Sequence, residues 1–282
     1  MSHCQDYTNK LYLRQIVYPW DDKITYYVTQ DEVDAVLAKG NLPEVEINDY
    51  TFADNAPKIA ILLTRDKHPN RQKADYSMPV SLIEAIKLSG GHPYFMVYEG
   101  VEEQLEEIKP DGILLPGGDF ALPEQWCLDK AVHKLEEIRQ QAYMVCLNYA
   151  KNKKIPLLGI CAGMQMLAGF CGAKIEQVSN HRGKLKEFAH QITIKKETSL
   201  SKIIDKEIVG VNSNHSEAVS SSYLGDCIVS AFSDDNIVEA IEPKNSWNKF
   251  VIGIQSHPEY FVKQKDYFAT KLFSSFIESS KS

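Results

Sequence analysis

Long apolar runs are missing from this sequence. No stretch of its 282 residues approaches the about 18 consecutive apolar residues of a membrane-spanning helix. The polar residues 1–15 lack the apolar centre of a secretory signal. Cysteine is sparse too. Cys4, Cys127, Cys146, Cys161, Cys171 and Cys227 are scattered, with no CxxC pair, which speaks against a disulfide scaffold and against a cysteine-rich zinc site. Positive charge is not in excess: 31 Lys and Arg stand against 38 Asp and Glu, a net charge of −7. Without a basic face, neither nucleic acid nor an anionic membrane is an expected partner. A reducing cytoplasm is the expected compartment.

What remains is the composition of a globular protein, 44% hydrophobic and 24% charged. At about 150 residues per domain, the length allows one or two domains. Short, nearly continuous apolar runs at 58–63, 111–115 and 155–160 read as parallel strands covered on both faces. A further strand is expected at 94–98, after His92 and Pro93. Helices are expected at 79–88, 102–108, 129–151 and 164–170 between them. This alternation predicts an α/β fold, a doubly wound, mostly parallel sheet flanked by helices.

Beyond residue 174 the pattern changes to short strands at 191–194, 208–211, 227–231, 238–241 and 250–254, as expected of an antiparallel or mixed extension. A closing helix at 266–279 puts Phe268, Leu272, Phe273 and Phe276 on one face. The expected division is an N-terminal extension, 1–56, and a catalytic domain, 57–282. The extension holds seven Tyr or Trp and one candidate helix, 30–39. Docking on the domain, a lid over its site and a homodimer arm are all compatible with that content.

Three segments carry chemistry. Gly159-Ile160-Cys161-Ala162-Gly163 follows a buried strand and opens a helix. A nucleophile on such a turn projects from the carboxyl end of a strand, and small neighbours let the turn pack closely. The positive end of the helix lies beside the sulfur. The second segment runs from Gly253 to Tyr260 and holds His257 and Glu259. The histidine can serve as base for the thiol, and the glutamate can orient its ring. The third, Leu115-Pro116-Gly117-Gly118-Asp119, leaves main-chain N–H groups open at another strand end. One of these with the N–H of Ala162 could form an oxyanion hole.

With PGGD (116–119), GICAGMQ (159–165), VNSNHSEAV (211–219), VEAIE (238–242) and GIQSHPEY (253–260), the sequence resembles a class I glutamine amidotransferase domain. Within that group it resembles the C26 branch of γ-glutamyl hydrolases. The resemblance implies a flavodoxin-like fold. It implies Cys161 as nucleophile, His257 and Glu259 as its partners, and main-chain donors at Gly118 and Ala162. It places Gly117, Gln165, Asn212, Ser213 and His215 beside the substrate. It also implies hydrolysis of a γ-glutamyl amide such as γ-glutamyl-γ-aminobutyrate, with no cofactor.

The chain departs from the branch where Ala162 replaces the usual arginine and Ser256 the usual tryptophan. Ser216 follows the VNSxH segment, where a histidine or glycine is common. A glutaminase subunit feeding ammonia to a separate synthetase is the second reading, and a binding module on the same fold the third. The amidase occupies 58–276, which leaves about 56 residues ahead of it, too few for a synthetase. No i, i+4 histidine pair marks a metal site, and none is expected. His181 and His190 could face the substrate region, with a surface position as the default reading.

Overall fold

The computed structural model describes residues 12–16, 24–28, 47–49, 55–67, 74–119, 121–129 and 137–281. Contacts divide the chain into Met1–Asp54 and Asn55–Ser282. In the first unit, β1 (Tyr12–Ile16), β2 (Ile24–Val28) and β3 (Ile47–Asp49) form an antiparallel sheet in the order β2-β1-β3. The candidate helix at 30–39 lies outside the described residues.

The second unit begins with β4 (Lys58–Leu62), followed by a hairpin of β5 (Thr64–Lys67) and β6 (Ala74–Ser77). Then come α1 (Val80–Leu88), β7 (His92–Met96), α2 (Val101–Ile108), β8 (Gly112–Leu115), α3 (Glu137–Lys153), β9 (Leu157–Ile160) and α4 (Ala162–Phe170). The chain continues through β10 (Ile175–Gln177), β11 (His190–Ile194), α5 (Ser199–Ile203), β12 (Ile208–Val211) and β13 (Glu217–Val219). It ends with β14 (Cys227–Ser233), β15 (Val238–Pro243), β16 (Val251–Ile254) and α6 (Tyr267–Ser279).

Eleven strands make one sheet, in the order β12-β11-β14-β15-β16-β9-β8-β4-β7, with β10 and β13 joined beside β15. The run β16-β9-β8-β4-β7 is parallel. From β15 outward the pairing is antiparallel. This is the α/β architecture expected from the sequence, with its antiparallel extension.

Strand periodicity builds the core. Along β4, Ile59 and Ile61 face one layer, and Ala60 and Leu62 the other. One layer packs under α2, α3 and α4, through Leu105, Tyr143, Leu147 and Leu167. The opposite layer packs under α1 and α6, through Ile86, Leu272, Phe273 and Phe276. Each large apolar side chain so buried contributes roughly 1.5–3 kcal/mol. The expected face of α6 is the one buried.

Two expectations need correction. The strand placed at 94–98 runs from His92 to Met96 and includes Pro93. Among the described residues it pairs with β4 alone and forms the edge of the sheet, where a residue lacking N–H costs the ladder little. The helix placed at 129–151 is seen from Glu137 to Lys153, and 130–136 lie outside the described residues. Among the described residues no helix is long and apolar enough to cross a membrane.

Candidate active site

Three adjacent parallel strands end together. Leu115 pairs with Gly159, Gly159 with Gly253, and Ile160 with Ile254. The segments that follow β8, β9 and β16 are therefore neighbours at one sheet edge, where open α/β sheets hold ligands. They are the three segments singled out in the sequence.

Cys161 sits at the β9–α4 turn with φ 51° and ψ −109°. A side chain rarely adopts such angles without surrounding structure to enforce them. The enforcement is visible. The Cys161 N–H donates to the Ile254 carbonyl at 2.7 Å, and its own carbonyl accepts from the Gln165 N–H at 3.1 Å. A Cβ on Gly163 would overlap the Leu115 carbonyl oxygen, and one on Gly159 would stand 2.7 Å from the Gly163 oxygen. Only glycine lets the turn close this tightly.

His257 Nδ1 lies 2.9 Å from Glu259 Oε1, and the ring lies beside Cys161, the two side chains flanking Gly117. Burial disfavours the charged ring, but the charges of Glu259 and Cys161 outweigh it and raise the His257 pKa well above the usual histidine value. Glu259 itself is buried.

The main chain of His257 is gripped separately. Its N–H donates to Asn212 Oδ1, and Asn212 Nδ2 donates to its carbonyl, both at 2.8 Å. A further bond runs from Asn212 Nδ2 to the Leu185 carbonyl at 2.7 Å. The buried amide of Asn212 thus fixes the backbone from which the imidazole projects.

The glycine turn completes the cluster. A Cβ on Gly117 would approach His257 Cε1 to 2.9 Å and Cys161 Cβ to 3.1 Å. Gly118 has φ +146°, and a Cβ there would overlap the Arg139 guanidinium. From below, Arg139 Nη2 donates to the Gly117 carbonyl at 3.2 Å, and the Tyr143 hydroxyl donates to the Pro116 carbonyl at 2.6 Å. Both side chains are buried. Sequence reasoning missed this pair. The available signal was an arginine four residues before a tyrosine on one face of α3, a face that turns inward.

The other expected residues are placed as follows. Ala162 begins α4 directly after the cysteine. Gln165 is buried, and its Nε2 donates to the Glu217 carbonyl at 2.6 Å and to Gln255 Oε1 at 3.3 Å. Ser213 Oγ donates to the His181 carbonyl at 2.8 Å. His215 turns toward Glu239, 3.6 Å from its Oε1. His181 and His190 are not surface residues. His181 is 4% exposed, and both rings meet the same buried Glu239.

The peptidase C26 family model matches residues 57–259. The chain is 32% identical to the glutamine amidotransferase-like protein RP404 of Rickettsia prowazekii over 284 residues, 79% of this chain and 98% of that one. It is 26% identical to the γ-glutamyl-γ-aminobutyrate hydrolase PuuD of Escherichia coli over 245 residues, 79% of this chain and 93% of that one. Among solved structures, the glutaminase domain of Trypanosoma brucei CTP synthase superposes with a TM-score of 0.57 at 18% identity. That match covers 79% of this chain and 93% of the other.

Proposed function

Because the chain belongs to the peptidase C26 family, we propose that it hydrolyses a γ-glutamyl amide through a thioester on Cys161, with a γ-glutamyl-γ-aminobutyrate-like molecule as substrate. The observation that carries this reading is one imidazole placed between two groups. His257 is held by Glu259 at 2.9 Å and lies beside Cys161, both flanking Gly117. Transfer of the thiol proton to His257 gives a thiolate–imidazolium pair, which is the reactive state of a cysteine nucleophile.

The sulfur attacks the γ-carbonyl, and a C–S bond forms. Negative charge moves to the carbonyl oxygen, where the N–H groups of Gly118 and Ala162 receive it. The C–N bond then breaks as His257 gives its proton to the leaving amine. A water molecule next gives a proton to His257 and attacks the thioester. The C–S bond breaks, glutamate leaves and the ion pair is restored. Glu259 holds the ring in one tautomer throughout and balances its charge. Asn212 keeps His257 in place, and Arg139 with Tyr143 supports the glycine turn.

The substrate class is supported by the similarity to the γ-glutamyl-γ-aminobutyrate hydrolase of E. coli. Ala162 and Ser256 border the nucleophile and the base, so the leaving amine is set by this chain's own residues. Glutamate release should be measured from γ-glutamyl-γ-aminobutyrate, γ-glutamyl-putrescine, γ-glutamyl peptides, a folate polyglutamate and glutamine. One γ-glutamyl amide should be hydrolysed, and Cys161→Ser should lower its rate by a factor on the order of 10⁴ or more. Release from glutamine alone would favour the glutaminase reading. Silence across the panel in a folded protein would overturn the proposal.

A further inference from the structure

Away from the thiol, the antiparallel half of the sheet buries a second cluster of chemical groups. Glu239 lies on β15 and is 1% exposed. Three imidazole nitrogens converge on its Oε1: His190 Nε2 at 3.1 Å, His181 Nδ1 at 3.4 Å and His215 Nε2 at 3.6 Å. These histidines come from the segment after β10, the start of β11 and the segment between β12 and β13, so the fold alone assembles them.

The outer nitrogens of two rings are already engaged. His215 Nδ1 lies 3.1 Å from the Glu217 carbonyl oxygen, an atom that can only accept. The proton of neutral His215 is therefore on Nδ1, and the Nε2 lone pair points inward. His181 Nε2 lies 3.0 Å from the carboxylate of Asp235, and its Nδ1 faces inward, 3.3 Å from Ser213 Oγ and 3.4 Å from Glu239 Oε1. A ring held on its outer side by a carbonyl or a carboxylate, with its other nitrogen turned to the ligand position, is the arrangement around metal-bound histidine. Two inward atoms, His215 Nε2 and Glu239 Oε2, are buried without a hydrogen-bond partner among the described residues. Leaving such atoms unmatched costs free energy.

We propose that His181, His215 and Glu239 form a zinc site, with His190 or a water molecule as fourth ligand. The ligand atoms of these three residues lie within 4.8 Å of one another. Tetrahedral zinc, with bonds of about 2.0–2.2 Å, needs its ligand atoms about 3.3–3.5 Å apart. The observed 3.4 and 3.6 Å separations from Glu239 Oε1 meet this with small side-chain rotations. Imidazole and carboxylate donors without sulfur suit zinc and its cobalt substitute.

The site also has a route to the thiol cluster. Ser213 holds the His181 carbonyl, and the adjacent Asn212 holds His257. A bound ion would stiffen the segment that positions the base. The role is structural support, and the proposal stands or falls independently of the hydrolase reading.

Cobalt(II) titration of the chelator-stripped full-length protein, with its thiols kept reduced, tests it. Visible d–d bands should saturate at one equivalent, without the near-ultraviolet band of a cobalt–thiolate bond, and zinc should erase them. Glu239→Gln and His215→Ala should weaken binding by about 100-fold or more, and the gentler Asp235→Asn by about tenfold. Circular dichroism checks the folding of each variant. If the buried variants do not fold, the wild type and Asp235→Asn decide. Absent d–d bands, a thiolate band, or unchanged binding in a folded Glu239→Gln or, failing that, in Asp235→Asn would overturn the proposal.

Discussion

The two halves of the sheet bury different things. In the parallel half, β4, β8, β9 and β16 are apolar on both faces, and chemistry appears only where the strands end. In the antiparallel half, β15 carries Glu239 and Glu242 into the interior among histidines, serines and main-chain donors. The first half is a platform whose stability comes from apolar area. The second is a polar brace, in which Glu242 is held by main-chain N–H groups and Ser230 while Glu239 gathers three histidines, and it reaches the site through Asn212. The first should therefore fail by cavity formation, and the second by misplacing His257.

The largest expected effect lies where the halves meet. Glu259→Gln removes the charge that holds His257 protonated and should lower kcat by a factor on the order of 10³–10⁴. The direction with pH follows. The folded His257 pKa is raised, so the ring keeps its proton to higher pH than a free imidazole and loses it as the pH rises further. The alkaline limb of kcat/KM should move to lower pH in the variant. The stability linked to the same proton is present below the unfolded histidine value and fades as pH rises through the folded one. An unmoved alkaline limb in a folded variant would break the assignment.

Next in size is Phe276→Ala. Its ring is fully buried on the α6 face and packs on Phe250 at 5.3 Å. A loss of about 3–5 kcal/mol is expected from denaturant unfolding, with kcat unchanged in the fraction that remains folded. A smaller effect comes from Asn212→Ala, which releases the His257 main chain. A displaced base should cost about 100-fold in kcat and leave KM nearly unchanged. An equal change in KM would instead put Asn212 in contact with substrate.

The halves also differ in how well the sequence reveals them. Apolar runs at 58–62, 112–115 and 157–160 mark the parallel strands because strands buried on both faces have no other composition. The chemical segments were legible because each follows such a run. Pro93 misled, since only the finished sheet shows that β7 is an edge. In the antiparallel half, β10 and β13 are three residues each, too short for a periodic signal. The hairpin of β5 and β6 is polar and was also missed. His181 and His190 read as surface residues because their partner, Glu239, is about 50 positions away. Arg139 and Tyr143 were hidden likewise, since the turn they support precedes them by more than 20 residues.

The central claim, a cysteine poised for attack on a γ-glutamyl carbonyl, is tested most directly by labelling with a γ-glutamyl chloroketone. Peptide mapping by mass spectrometry locates the adduct. The account predicts one equivalent of label on Cys161, loss of glutamate release in step with labelling, and protection by the substrate. Label on another residue, or a fully labelled Cys161 in a protein that still releases glutamate, would contradict it.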